Sequence, residues 1–188
     1  MEAGTIVRKG KLSSDIALPE NVHATIDGNT LVIKSTSGEV SRKFNQRNIS
    51  LKVQDKKIIL ESERSTKKDK KMTGSITAHI KNMMKGSQQK HTYILKICSG
   101  HFPMNVSVTG NKLVVKNFFG EKVPRTLSLK PGADVKIEGD MIHVTSANKE
   151  TAGQVSADIE QLTRRPGYDS RVFQDGVYII NKDGKELK

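Results

Sequence analysis

The sequence predicts an α+β fold, a tandem duplication of a small antiparallel sheet covered by one helix. Two observations carry that expectation. The segment GNKLVVKNFFGEK at 110–122 echoes GNTLVIKSTSGEV at 28–40, 82 positions earlier, and LPENV at 18–22 answers FPMNV at 102–106. In each copy a Gly-Asn turn opens a short apolar run and a Gly-Glu turn reverses the chain, which is hairpin patterning, and each hairpin then leads through extended chain to one helical pattern. Self-similarity of that length marks a repeated supersecondary unit rather than a shared motif. We therefore expect an N-terminal α+β module at 1–90 and a C-terminal one at 91–188, each large enough for a core of its own.

Taken in order, residues 1–14 are basic around Arg8, Lys9 and Lys11 and without periodicity, so they read as an arm or a weak edge strand. Val22, Ala24 and Ile26 alternate with polar neighbours, Asp27-Gly28-Asn29 turns into Leu31-Val32-Ile33, and Ser37-Gly38 turns into a strand at 40–44. Ile49, Leu51 and Val53, then Ile58 and Leu60, flank a polar turn at 54–57 and predict a second hairpin. A charged connection at 62–71 precedes a helical face of Ile76, Ile80, Met83 and Met84, with Gly86 as the stop and 86–90 as the linker or the start of the second module.

The second module repeats the plan. A strand at 93–98 breaks at Ser99-Gly100; Val106 and Val108 lie on the next; the Gly110 hairpin feeds a strand at 122–129; and Pro131-Gly132 turns the chain. Val135 and Ile137 pair through Glu138-Gly139-Asp140 with 141–145. Ala152, Val155, Ile159 and Leu162 mark one face of a helix over 148–163, with Asn148 as N-cap and an end at Arg164-Arg165 enforced by Pro166. A last strand at 176–180 precedes a polar tail.

Lys and Arg number 32 against 20 acidic residues, a net charge of +12, split +9 over the first 90 residues and +3 over the rest. So large an excess points to a polyanion, with nucleic acid first. The single cysteine, Cys98, excludes an internal disulfide, Met1 is followed by polar residues rather than a signal-type apolar core, and no apolar run reaches the ~18 residues of a membrane span. A cytosolic or nuclear protein without a membrane or small-molecule partner is the expectation.

Catalysis has no support in the residues: there is no Gly-rich phosphate loop, paired-His motif or nucleophile elbow. His91, Cys98 and His101 are the only clustered soft ligands, but zinc needs a fourth ligand and tighter spacing, so they read as strand-end residues and no metal or cofactor is expected. Single-strand readers rely on exposed aromatics. Here aromatics are 4% and Trp is absent, so contact with the phosphates and 2′-hydroxyls of a folded RNA is the expected mode.

Four basic groups are candidates. Lys67, Lys68, Lys70 and Lys71 are the densest run, whose bland reading is a solvated loop; Arg42, Lys43 and Arg47 read chiefly as exposed strand residues. Lys112, Lys116, Lys122 and Arg125 flank the second hairpin, where strand alternation can leave them facing solvent. The favoured group is Arg164, Arg165, Tyr168 and Arg171, in RRPGYDSR directly after a helix end. Arginine there suits the helix dipole, but arginine forks also match phosphate, and a Pro-Gly turn projects them rigidly.

LPENV with GNTLVIKSTSGEVSRKF, AHIKNMMKG at 78–86, HFPMNV at 101–106, NFFGEK at 117–122 and FQDGVY at 173–178 together give the chain a resemblance over nearly its whole length. It resembles the universal large-subunit ribosomal protein six family in its archaeal and eukaryotic form, called ribosomal protein nine in eukaryotes. The resemblance implies a two-domain, non-catalytic protein bound to large-subunit rRNA near the sarcin-ricin loop and the stalk base, among neighbouring ribosomal proteins. It places the protein on cytoplasmic ribosomes, with a nucleolar stage in a eukaryote, and implies RNA contact through 164–171 and 173–178. Against the family pattern, this chain enters its second module through polar Ser87-Gln88-Gln89-Lys90-His91, and its Pro166-Gly167 loop is a form that eukaryotic members often lack and that is similar to the bacterial and archaeal pattern. The competing expectation is a free-standing, basic protein-interaction adaptor with no ribosomal role.

Overall fold

The computed structural model describes residues 4–8, 11–36, 38–45, 48–54, 56–169 and 171–187; the readings placed on residues 1–3, Lys9, Ser37, Arg47, Asp55 and Ser170 lie outside them. The chain divides into two units, Met1–Lys90 and His91–Lys188.

In the first unit, β1 (Gly4–Arg8) pairs antiparallel with β2 (Lys11–Ala17). A three-stranded meander follows: β3 (Val22–Asp27), β4 (Thr30–Ser35) and β5 (Gly38–Lys43). Then β6 (Ile49–Gln54) and β7 (Lys57–Ser62) form a hairpin, and β7 returns to β2 with Leu12 opposite Ser62 and Ala17 opposite Lys57. That closure gives a four-stranded sheet ordered β1-β2-β7-β6 beside the meander. Helix α1 (Lys67–Gln88) packs on strands of both sheets, burying Ile76, Ile80, Met83 and Met84 against Leu31, Ile33, Ile58 and Leu60. The burial follows the two periodicities, every second residue on β4 and β7 and every third or fourth on α1.

The second unit is built the same way around β8 (His91–Cys98). A meander of β9 (Asn105–Thr109), β10 (Lys112–Lys116) and β11 (Arg125–Ser128) is followed by the hairpin β12 (Asp134–Glu138) and β13 (Met141–Ser146). Helix α2 (Lys149–Leu162) comes next, then β14 (Gly176–Lys182) and β15 (Lys185–Glu186), giving the larger sheet the order β12-β13-β8-β14-β15. Asn148 caps α2, its side chain accepting from Glu150 N. The core joins Leu95, Ile142, Val144 and Val177 of the larger sheet, Leu113 and Val115 of the meander, and Ala152, Val155 and Ile159 of the helix.

The fold class is α+β with the duplicated plan, but each unit holds two sheets where one was expected. Alternation identifies strands without saying which ones pair, and the β2–β7 and β8–β13 pairings join residues 40 to 55 positions apart, from Ala17 with Lys57 to His91 with Ser146. Residues 4–8 and 11–17 are paired strands, with β1 at the sheet's edge, so the edge-strand alternative holds over the loose arm. The expected strand at 122–129 starts only at Arg125, and the tail carries β15.

The largest shift concerns α1. Lys67, Lys68, Lys70 and Lys71 are not in a loop; they form its exposed first turns. Thr66 starts the helix: its Oγ1 accepts from Asp69 N at 3.2 Å, while the Asp69 carboxylate accepts from Thr66 N at 3.4 Å and Oγ1 at 2.6 Å. This capping box outweighs the lysines' unfavourable position at the positive end of the helix, and the Thr66 bond holds the Asp69 carboxyl below its ordinary range. Gly86 does not end the helix either. It is buried within the last turn beside buried Ser87, whose hydroxyl donates to Met84 O at 2.9 Å. The helix stops at Gln89, already extended, so the predicted linker at 86–90 shrinks to Gln89 and Lys90.

Thr66→Ala removes the two hydroxyl bonds of the box and leaves, of its three bonds, only the one from the backbone N–H of residue 66 to the Asp69 carboxylate. We expect a loss of about 1 kcal/mol in unfolding free energy, read as a lower urea midpoint at unchanged slope; an unmoved midpoint would remove the cap from the account of α1.

Candidate nucleic-acid interface

The site begins with a backbone irregularity after β10. Asn117 (φ 59°) and Phe119 (φ 49°) both take left-handed conformations within the short helical turn Phe118–Gly120. Asn tolerates this region and is held by Nδ2 donating to Pro103 O at 3.0 Å, but a bulky aromatic there is strained. The turn sends successive rings to different surroundings: Phe118 is 1% exposed in the core, and Phe119 meets it edge-on at 4.9 Å and stays partly open.

Arg125, at the start of β11, ties this turn to the end of α2. Its Nε and Nη2 donate to the two Glu121 carboxylate oxygens at 2.8 and 2.6 Å, Nη1 donates to Leu162 O at 2.7 Å, and the guanidinium lies 4.3 Å from the Phe118 ring centroid. A carbonyl left open by the helix end is thereby satisfied. The Glu121 carboxyl is held below its ordinary range, chiefly by the Arg125 bond. Thr163, the residue that caps the C-terminal end of α2, accepts from Val177 N at 2.9 Å and so fixes the start of β14.

Between these anchors runs the loop from Arg164 to Asp175. Gly167 (φ 83°) makes the turn behind Pro166. Arg165 lies over two rings, 4.2 Å from the centroid of Tyr168 and 5.0 Å from that of Phe119. Phe173 meets Tyr168 edge-on at 5.1 Å, and His101 lies 5.2 Å from Phe173. Arg171 turns back on Asp169, with Nη2 at 2.9 Å and Nε at 3.1 Å from its oxygens. The loop closes on Asp175, a buried carboxylate accepting from the backbone N–H groups of Gly100 and His101 and lying 3.2 Å from His101 Nδ1. Burial works to raise the Asp175 carboxyl, but the Gly100 and His101 interactions together leave it below the ordinary range. These segments enclose an open pocket of about 490 Å³, whose lining includes Phe119, Glu160, Arg164, Arg165, Tyr168 and Tyr178.

The structure treats the candidate residues unequally. Arg164, Arg165 and Tyr168 are brought together at the pocket; Arg171 is on the same loop, 89% exposed but paired with Asp169. Lys112 and Lys116 share the outward face of β10, about 13 Å apart at strand rise, and Lys122 is exposed on the bend after Glu121. Arg125 is only part-exposed, and its guanidinium is committed to Glu121, Leu162 and Phe118. Lys67, Lys68, Lys70 and Lys71 cluster in the other unit. Of the lesser group, Arg42 meets His79 Nδ1 at 3.0 Å and lies over Phe44. His91 and Cys98 stand at opposite ends of β8, about 23 Å apart, and His91 faces Asp183 at 3.0 Å while His101 faces Asp175.

Composition concealed the aromatics. Only eight residues are Phe or Tyr, yet Phe102, Phe118, Phe119, Tyr168, Phe173 and Tyr178 all gather in this one corner. A 4% content therefore does not exclude base stacking; position decides it. The adjacent pair Phe118-Phe119, too aromatic for an ordinary hairpin turn, was the signal available in the sequence.

The family model described as Ribosomal protein L6 matches the chain twice in tandem, over residues 18–90 and 102–176. Among curated proteins, the chain is 39% identical to the large ribosomal subunit protein uL6 of Methanococcus vannielii over 176 residues, 94% of this chain and 97% of that protein. It is 41% identical to the large ribosomal subunit protein uL6 of Methanobrevibacter smithii over 172 residues, 92% of this chain and 97% of that protein.

Two outcomes follow from the geometry. Arg125→Ala removes the clasp and should cost about 1.5–3 kcal/mol of unfolding free energy in urea titrations, whereas Arg164→Ala, on an exposed side chain, should leave the midpoint within about 0.5 kcal/mol of the parent. Equal midpoints would show that the clasp carries no stability. Asp175 has a depressed folded-state pKa, so its contribution is fully present above its ordinary value of 3.8 and is lost as pH falls through the lower folded value. Acid titration of the thermal midpoint should therefore fall more steeply for the parent than for Asp175→Asn, and parallel curves would contradict the assignment.

Proposed function

The chain belongs to the ribosomal protein L6 family, and from that premise we propose that it is a structural protein of the large ribosomal subunit. Its partners are rRNA and neighbouring ribosomal proteins, its place is the cytoplasmic ribosome, and its role in translation is non-enzymatic. The finer reading is that the second unit grips folded rRNA near the sarcin-ricin loop and the stalk base through 164–171 and the adjoining 173–178.

One observation supports this choice of surface above the others: Arg164 and Arg165 meet Tyr168 and Phe119 around an open pocket held by the Arg125 clasp. Stacking fixes the Arg165 guanidinium plane while its edge donors remain suited to phosphate, and a preoriented fork loses less entropy on binding. Lys112, Lys116 and Lys122 extend the positive surface of the same unit. A second contact is assigned to Lys67, Lys68, Lys70 and Lys71, because four exposed cations at the positive end of a helix lower its stability unless an anion offsets them. Arg125 is kept out of the interface and given the supporting role.

In filter binding of the full chain to protein-free archaeal large-subunit rRNA, we expect steep salt dependence. Arg164→Ala with Arg165→Ala should weaken binding and reduce the slope of log affinity against log salt by about one to two units. An unchanged slope would remove the loop from the interface, and salt-insensitive binding by the parent would favour the protein-adaptor reading instead.

A further inference from the structure

We infer that the pocket beside the post-helix loop receives a single nucleobase turned out of its RNA stack, while the phosphates stay at the rim with Arg164 and Arg165; this rests on the rRNA-binding reading above. The lining separates the two roles. Glu160 and Asp175 are among the lining residues, and each carboxylate is fixed: Glu160 accepts from Ile179 N at 3.1 Å, and Asp175 from Gly100 and His101. An anion inside would face both. A neutral planar group whose edge carries N–H donors would not, and nucleobases are such groups.

The rings point the same way. Tyr168 and Tyr178 are 45% and 40% exposed and both line the pocket, so the two rings together present open apolar surface at one place. Among the described residues Tyr178 is not paired with another ring. Its ring lies across Gly176 at the start of β14, where an added Cβ would touch three Tyr178 atoms at 3.4 Å and where the backbone φ of 156° is one that other residues rarely adopt. Phe119 reaches the same lining through a strained left-handed backbone, and such strain persists where a precise side-chain placement is used. At about 490 Å³ the space falls within the range of sites that hold small planar ligands.

The full chain bound to protein-free archaeal large-subunit rRNA can be irradiated with short-wave ultraviolet light, digested and analysed by mass spectrometry. The expected result is a zero-length base adduct on Phe119, Tyr168 or Tyr178. Tyr168→Ala and Tyr178→Ala should each weaken rRNA binding about 5- to 150-fold, the range of a stacked base, with the salt slope unchanged, and Tyr178→Phe should keep most of the affinity. The adduct is read on the parent protein, so it does not depend on the variants folding. Adducts only elsewhere, with both alanine variants binding like the parent and the normal salt slope intact, would overturn the base pocket and leave the rRNA reading standing. A side chain of a neighbouring ribosomal protein filling the pocket in assembled subunits would overturn it as well. Absence of salt-dependent rRNA binding by the parent would bring both readings down together.

Discussion

The second unit's candidate surface depends on one guanidinium. Arg125 joins the hairpin turn, the last carbonyl of α2 and the buried Phe118 ring in a single cluster. Without it, the end of α2 would carry an open carbonyl, and the 117–121 turn would be joined to the helix only through the packing of Phe118 in the shared core. Thr163 extends the same anchoring to β14 through Val177 N, so both ends of the loop leave from fixed points. The loop between them can then be irregular, carry a Pro-Gly turn and hold its arginines outward. Rigid support beneath an irregular segment is the usual way a loop presents chemistry.

Charge in this corner is managed as much as accumulated. Glu121 is used on Arg125 and Asp169 on Arg171, leaving Arg164 and Arg165 as the cations at the pocket. Arg171 keeps its exposure, but a partner must compete with Asp169 for it, at a cost that an exposed pair makes small. The first unit follows another pattern, with four lysines on the first turns of α1 beside one buried carboxylate, Asp69, which serves the cap instead of neutralising them.

Much of this was legible from residue order. Helix faces at Ile76, Ile80, Met83 and Met84 and at Ala152, Val155 and Ile159, the cap at Asn148, and the hairpins at Gly28 and Gly110 are local signals, and they lie where periodicity and turn chemistry put them. The early start of α1 escaped because its first turns are exposed lysines, which have no apolar period to read; Thr66 and Asp69, three residues apart, were the available clue. Gly86 misled because a small residue buried against a sheet and a small residue ending a helix look alike in sequence. The pocket was legible only in part. Arg164, Arg165 and Tyr168 are neighbours in the chain, but Phe119 and Tyr178 join them through tertiary folding, and no single-sequence pattern records that. The commitment of Arg125 to Leu162, 37 positions away, is hidden for the same reason.

The two units fill one position differently. In the first, the strand lying on the far side of β2 from β7 is β1, which precedes β2; in the second, the matching place beside β8 is taken by β14, which follows α2. The order of synthesis therefore separates them. By the time α1 has emerged from the translating ribosome, every strand of its own sheets exists, and the first unit can close. Strand β8 must wait, with the edge that β14 will cover still open, until 176–182 have been made. An open edge on a buried central strand is a template for wrong pairing, so the second unit has an interval of exposure during its synthesis that the first lacks. It ends with the strand that also carries Tyr178 and one wall of the pocket.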